Sequence, residues 1–254
     1  MEYEFTGLTF SLLIASGVLA GFINTLAGGG SLLTLPALML LGMPADIANG
    51  TNRVAVLLQS LEGMRGFHGH GKLALEAIVP ILAPTLAGSL AGALVASYLP
   101  ADLLEPVLLS TLVGMALIMV LRPGVVAPGS DEQPRTLRQA PMGYPGLFAA
   151  GLYGGFIQAG VGFVLITVLA GVLRYDLVRA NALKLTCTAV FGAVSLLVFM
   201  SRDQVLWVPG LVLAGGSVLG VRLSVRMAVN VSQRVLRWFL LVLVLLVSAA
   251  AWMG

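Results

Sequence analysis

Eight apolar runs of helical character, at about 8–27, 47–67, 73–98, 103–121, 144–159, 178–200, 205–223 and 235–253, decide the solvent of this chain. Most approach the roughly 20 residues that a helix needs to cross a hydrocarbon core. Charge is scarce throughout: charged residues make up 10% of the 254 and hydrophobic residues 58%. A soluble domain has about 25% charged residues to cover its surface. The chain therefore reads as an all-α polytopic membrane protein. Its first ten residues carry Glu2 and Glu4 and no Lys or Arg. A secretory signal needs a basic start, so Leu8 onward is expected to be a retained membrane segment.

Two further apolar runs, at about 31–42 and 162–173, are too short to cross. At 1.5 Å per residue each rises only about 18 Å against a core of ~30 Å. Each follows glycine, Gly28-Gly29-Gly30-Ser31 in one case and Gly160-Val161-Gly162 in the other. They read as half-membrane helices, each folded as a hairpin with the helix before it. Broken backbone at that depth persists only where it is buried in protein or lines a cavity.

The segments on either side of the proline-rich stretch Arg122–Gly143 resemble each other. Gly17, Gly21, Phe22 and Ile23 recur as Gly151, Gly155, Phe156 and Ile157, and Asn24 lines up with Gln158. Gly28 and Gly30 match Gly160 and Gly162, and Ala48-Asn49 matches Ala180-Asn181. Gly88-Ser89 and Gly92 match Gly216-Ser217 and Gly220. Collinear matches of this kind indicate duplication. The expected organisation is one membrane domain: a first repeat over 1–121, a cytoplasmic linker over 122–143 and a second repeat over 144–254. Each repeat would hold a Gly-broken hairpin and three spanning helices. Loop 99–105 has no basic residue, whereas its counterpart near 222–237 has Arg222, Arg226, Arg234 and Arg237. Basic residues mark cytoplasmic loops, so the repeats are expected to be inverted with both termini outside. That arrangement puts 12 of the 14 basic residues inside, Lys184 among them, and leaves Arg53 and Arg202 outside.

The glycine turns are the sharpest chemical feature. Glycine permits a positive φ and a close approach of backbone to ligand. The free N–H groups of the following helix and its dipole favour an anion. Ser31 is placed to cap that helix or to donate to a ligand. Gly17/Gly21, Gly88/Gly92, Gly151/Gly155 and Gly216/Gly220 read instead as close helix packing. Polar residues gather at the start of the third segment of each repeat: Asn49, Thr51, Asn52 and Arg53, then Asn181, Lys184, Thr186 and Thr188. Arg53 and Lys184 are either ligands or snorkelling side chains near a helix start. Asn24 and Gln158 read as hydrogen-bonders within the hairpins, with ligand contact as a second role. Glu62 is the carboxylate well inside a span; it is a proton-coupling candidate, though pairing with Arg65 one turn on is the simpler reading. His68 and His70 lie in a glycine-rich loop and lack further histidines for a metal site. The single cysteine, Cys187, excludes an internal disulfide and a Cys-based metal site. No Walker A, HExxH or GxSxG motif is present, so no enzyme activity, cofactor or metal is implied.

The run Ala20-Gly-Phe-Ile-Asn-Thr-Leu-Ala-Gly-Gly-Gly-Ser-Leu-Leu-Thr-Leu-Pro36, with Leu41-Gly-Met-Pro44 and Ala48-Asn-Gly-Thr-Asn52, resembles the TauE/SafE sulfite exporter family. The second-half turn, Ala180-Asn181 and Val205-Leu-Trp207 fit the same pattern. The resemblance implies a multi-pass permease of the bacterial inner membrane that carries sulfite, an organosulfonate or a related anion. Phe163 departs from the pattern, since it stands where the first turn has the hydroxyl of Ser31. Substrate is then expected between the two breaks, with Asn24, Gly28, Gly29, Gly30, Ser31, Asn49, Arg53, Gln158, Gly160, Gly162, Asn181 and Lys184 as binding residues. The expected partners are a small anion and the lipid bilayer, with no nucleic acid, and a homodimer is open as an assembly. An anion channel or a membrane assembly subunit without flux are the rival readings.

Overall fold

A computed structural model describes residues 7–26, 28–121 and 133–230, without the side chains of 115–121. The expected last span at 235–253 and the linker residues 122–132 lie outside the described residues. The described residues form helices joined by turns and short irregular stretches: α1 (Gly7–Leu26), α2 (Ser31–Leu40), α3 (Ala45–Gly69), α4 (Leu75–Tyr98), α5 (Ala101–Leu121), α6 (Gly143–Phe156), α7 (Val161–Ile166, continued by a π-helical turn, Thr167–Val172), α8 (Leu177–Met200) and α9 (Trp207–Asn230). Four of these, α1, α4, α8 and α9, are apolar and long enough to cross a membrane. Helix α3, at 25 residues, has the length but also a polar N-terminal half. That half is affordable because Asn49, Thr51, Asn52 and Arg53 are all fully buried against other helices.

Both short runs are short helices, as their lengths and leading glycines predict. The π-helical continuation of the second is unmarked in the sequence pattern. Each short helix folds back on the helix before it. Gly30 lies against Ala20 and Asn24, and Leu38 packs with Leu13, so α2 returns along α1. Gly154 lies against Val161, Gly146 against Val168 and Gly143 against Leu173, so α7 returns along α6.

Glycine contacts fix the helix directions. Gly216 faces Ile14, Gly220 faces Val18 and Ser224 Oγ donates to Phe22 O, so α1 and α9 run parallel. Gly88 faces Phe148 and Gly92 faces Leu152, so α4 and α6 run parallel. Gly63 and Gly66 face Val221 and Val225, which aligns α3 with α9. Gly63 also faces Leu185 while Arg53 lies over Phe199, so α8 runs against α3. Helices α1, α3 and α9 thus point one way, and α4, α6 and α8 the other. The backbone-to-backbone contacts at Gly17, Gly21, Gly151 and Gly155 are the close packing that small residues permit.

The turns sort to two ends. At one, Gln204 Nε2 donates to Ser97 O at 3.3 Å and to Asp46 Oδ2 at 3.4 Å, tying the turn before α9 to the starts and ends of α3 and α4. Arg202 is the basic residue described there, stacked on Tyr98 at 4.3 Å. At the other end, Arg135 N donates to Leu173 O at 2.8 Å, and Glu76, Arg135 and Tyr175 line one cleft. Lys72, Arg138, Arg174 and Arg179 lie in the turns and helix starts of that same end. Tyr175, in the turn before α8, has its phenol pKa raised by burial and by Glu76, with Arg179 opposing. Lys184 does not belong to this loop charge, as the sequence tally supposed, because it is fully buried in the bundle.

Candidate functional site

Two helices, α1 and α6, stop inside the bundle and leave carbonyls without intrahelical partners. Such groups must be paired when no water can reach them. The chain meets this need with a cation from the other half. Lys184 Nζ donates to Asn24 O at 2.6 Å and Thr25 O at 3.0 Å, at the end of α1. Arg53 donates to Gly154 O at 2.6 Å, Gly155 O at 2.8 Å and Phe156 O at 3.2 Å, at the end of α6. The negative end of a helix dipole favours a cation in this position. Each cation is steadied by an asparagine one turn earlier on its own helix. Asn181 Oδ1 accepts from Lys184 at 2.7 Å, and Asn49 Oδ1 accepts from Arg53 at 3.3 Å. Asn49 Nδ2 also donates to Phe156 O at 2.9 Å.

This geometry corrects one reading of the two cations. Neither cation snorkels, since both are fully buried. Although Ala48-Asn49 aligns with Ala180-Asn181, which sets Lys184 opposite Asn52 and not Arg53, both cations close a broken helix of the opposite half. Helix geometry explains the tolerance: i+3 and i+4 project onto the same face, so Asn181 with Lys184 and Asn49 with Arg53 are interchangeable spacings.

The two glycine turns meet. A Cβ added at Gly28 would overlap the Cα of Gly162 and lie 2.6 Å from its carbonyl carbon. Gly28 has φ +94°, the left-handed backbone expected of this turn, and Gly160 has φ +75°. Gly29 does not share that conformation; it is small because the ring of Phe163 lies over it, 2.9 Å from a built Cβ. Gly30 is helical in backbone and caps α2 without a side-chain bond. Ser31 is therefore not a cap. Its hydroxyl accepts from Asn52 Nδ2 at 3.1 Å, while Thr34 Oγ1 donates to Asn52 Oδ1 at 2.7 Å. The Phe163 ring, which replaces a hydroxyl in the second turn, packs on the first turn instead.

Gln158 sits between α6 and Gly160 with φ +69°, a conformation a non-glycine residue seldom takes. It is buried, and neither its Nε2 nor its Oε1 has a hydrogen-bond partner. The hairpin hydrogen bond expected of its side chain is not made; Tyr153 Oη instead donates to Ala159 O and braces the turn. Arg53 Nε and Asn181 Nδ2 are likewise buried and unpaired. No sequence pattern announced Tyr153 or Phe199, whose ring lies 5.0 Å from the Arg53 guanidinium.

Glu62 stands apart from this junction, further along α3. Its partner is Arg222 of α9, whose Nε lies 2.6 Å from Oε1, and not Arg65. The parallel packing of α3 on α9 sets that pairing, which a reading confined to one helix misses. Among the described residues neither Arg53 nor Lys184 has a carboxylate partner. His70 is bonded to Gly66 O at 2.8 Å and closes the end of α3.

Four helices apolar and long enough to cross a membrane, packed with two short helices that follow glycine turns, define a polytopic membrane protein. The chain belongs to the family described as "Sulfite exporter TauE/SafE", whose model matches residues 13–251. It is similar to "Probable membrane transporter protein YfcA" of Escherichia coli (strain K12), with 28% identity over 95% of this chain and 89% of that protein. It is similar also to a "Probable membrane transporter protein" of Haemophilus influenzae, 26% identical over 94% of this chain and 92% of the relative. "Probable membrane transporter protein ORF9" of Sinorhizobium sp is 30% identical over 91% and 88%. No solved structure matches the chain.

Proposed function

We propose that this membrane transporter carries a small sulfur-containing anion, such as sulfite or an organosulfonate, bound where the two glycine turns meet. The observation that carries the reading is the charge and donor balance of the junction. Two buried cations have no carboxylate partner among the described residues. Arg53 Nε, Gln158 Nε2 and Asn181 Nδ2 are buried donors without acceptors. The start of α2 adds the positive end of a helix dipole beside Gly28. Buried positive charge in a membrane is costly, and an anionic ligand offsets that cost. The family name supports sulfite as the type of cargo.

The transport cycle is alternating access about an inverted-repeat axis. Supporting this, the helices that match in sequence run in opposite directions: α1 against α6, α3 against α8 and α4 against α9. Their contacts are reciprocal too, α1 on α9 and α4 on α6, with Lys184 closing α1 and Arg53 closing α6. Residues 1–121 and 144–254 are then the repeats, and 122–143 the linker. The Gly28–Gly162 contact is the occluded state of the site, and it parts when substrate enters. The Lys72–Arg135–Arg179 end faces the cytoplasm and the Gln204 end the periplasm, with both termini periplasmic in the inner membrane. Glu62, held by Arg222 toward the cytoplasmic end, is a structural pair and not the coupling group.

Purified protein in liposomes tests this reading. Saturable uptake of labelled sulfite or a sulfonate, competed by unlabelled anion, is the expected result. Conductance without saturation would make the protein a channel, and absence of flux would make it an assembly subunit.

A further inference from the structure

Gln158 is the side chain that the hydrogen-bond network leaves over. It is 2% exposed, and both ends of its amide lack a partner. Its backbone is left-handed, at φ +69°, which glycine would adopt without steric cost. Strain of this sort gathers at ligand sites.

The unpaired atoms around the two breaks are unequal in kind. Arg53 Nε, Asn181 Nδ2 and Gln158 Nε2 are donors, and Gln158 Oε1 is the acceptor. Asn49 Oδ1 and Asn181 Oδ1 are already taken by Arg53 and Lys184. Flipping the amide exchanges its two ends and leaves this balance unchanged. Two further unpaired amide oxygens lie outside the breaks: Gln59 Oε1 further along α3 from Arg53, and Gln204 Oε1 in the turn before α9. A fully deprotonated anion offers only acceptors. It would satisfy the donors and leave Gln158 Oε1 facing a negative ligand, a costly arrangement for a buried acceptor.

We infer that the transported anion carries an O–H or N–H group of its own, and that Gln158 reads it. Oε1 accepts that hydrogen while Nε2 donates to an oxygen of the anion. The substrate class is thereby narrowed to hydroxy- or amino-substituted sulfonates and to oxyanions that keep one proton. This inference rests on the anion site proposed above. Gln158 acts as a specificity-determining residue there, since a site built to bond a substrate O–H rejects the analogue that lacks it.

Ethanesulfonate and 2-hydroxyethanesulfonate test the inference, because they share charge and chain length and differ by one hydroxyl. Each is titrated calorimetrically into the full chain in detergent, as wild type and as Gln158→Gly. Glycine accepts the left-handed backbone, so this variant keeps the turn, and an unchanged melting temperature verifies it. The wild type is expected to bind the hydroxylated anion about tenfold or more tightly than the plain one, as for a hydrogen bond to a buried group. Gln158→Gly is expected to bind both weakly and equally. Equal wild-type affinities would overturn the inference while leaving the anion site intact. A preference that survives in Gln158→Gly would also overturn it, by moving the reader of the hydroxyl elsewhere. If neither sulfonate binds the wild type, the anion site itself falls, and this inference with it.

Discussion

Gly28→Ala strikes the contact at which the two glycine turns meet backbone to backbone. At φ +94° an alanine Cβ is strained whatever the space around it. Left-handed backbone costs a non-glycine residue about 1–2 kcal/mol. The added methyl would also overlap Gly162, at 2.6 Å from its carbonyl carbon and 3.0 Å from Phe163 N. These are main-chain atoms and cannot rotate away, so overpacking adds about 1–3 kcal/mol. Together the destabilisation is about 2–5 kcal/mol. For a chain of this size each kcal/mol moves the melting temperature by about 2–4 °C, which gives a fall of roughly 4–20 °C. Gly192→Ala is the control: it lies mid-helix in α8 with nothing within 4 Å of a built Cβ. It should stabilise by about 0.5–1 kcal/mol through helix propensity. Thermal unfolding in detergent, followed by circular dichroism, compares the two. If Gly28→Ala melts with the wild type, the Gly28–Gly162 contact is not the close packing described, and the occluded junction built on it fails.

Lys184→Gln and Arg53→Gln should each destabilise by on the order of 3 kcal/mol, because each strands buried helix-end carbonyls; unequal effects, with one near zero in chemical unfolding, would break the equivalence of the two cations. Glu62→Gln should cost less than about 1 kcal/mol, since its pair with Arg222 is partly exposed, and should leave any pH dependence of uptake in place. Loss of that dependence across a pH series would return Glu62 to the coupling role. Asp102→Cys should label with a membrane-impermeant maleimide in intact cells and His70→Cys only after lysis, against the buried Cys187 as a silent background; the reverse pattern would invert the topology.

Much of the fold was legible because membrane helices write themselves in length and apolarity. The short helices after Gly28–Gly30 and Gly160 were legible for the same reason, since too few residues followed each glycine to cross. The roles of Arg53 and Lys184 were not. A sequence shows a cation in an apolar run but not the broken helix end of the other half that it serves. The partner of Glu62 was hidden likewise, because Arg222 becomes its neighbour only when α3 lies parallel to α9. Gly29 was not separable from its neighbours for another reason. Three successive glycines look alike in sequence, yet φ places the left-handed residue at Gly28, whereas a phenyl ring from the other half accounts for Gly29.

Selenium marks the site most directly. A selenium analogue of the sulfur oxyanion, such as selenite, is soaked into crystals of the protein, and its anomalous signal is located. The account predicts one strong peak at the junction of the turns, within hydrogen-bond reach of Arg53, Gln158 and Asn181, with Gly28 and Gly162 drawn apart. A peak elsewhere in the bundle, or saturable binding in solution with no peak at the junction, would contradict it.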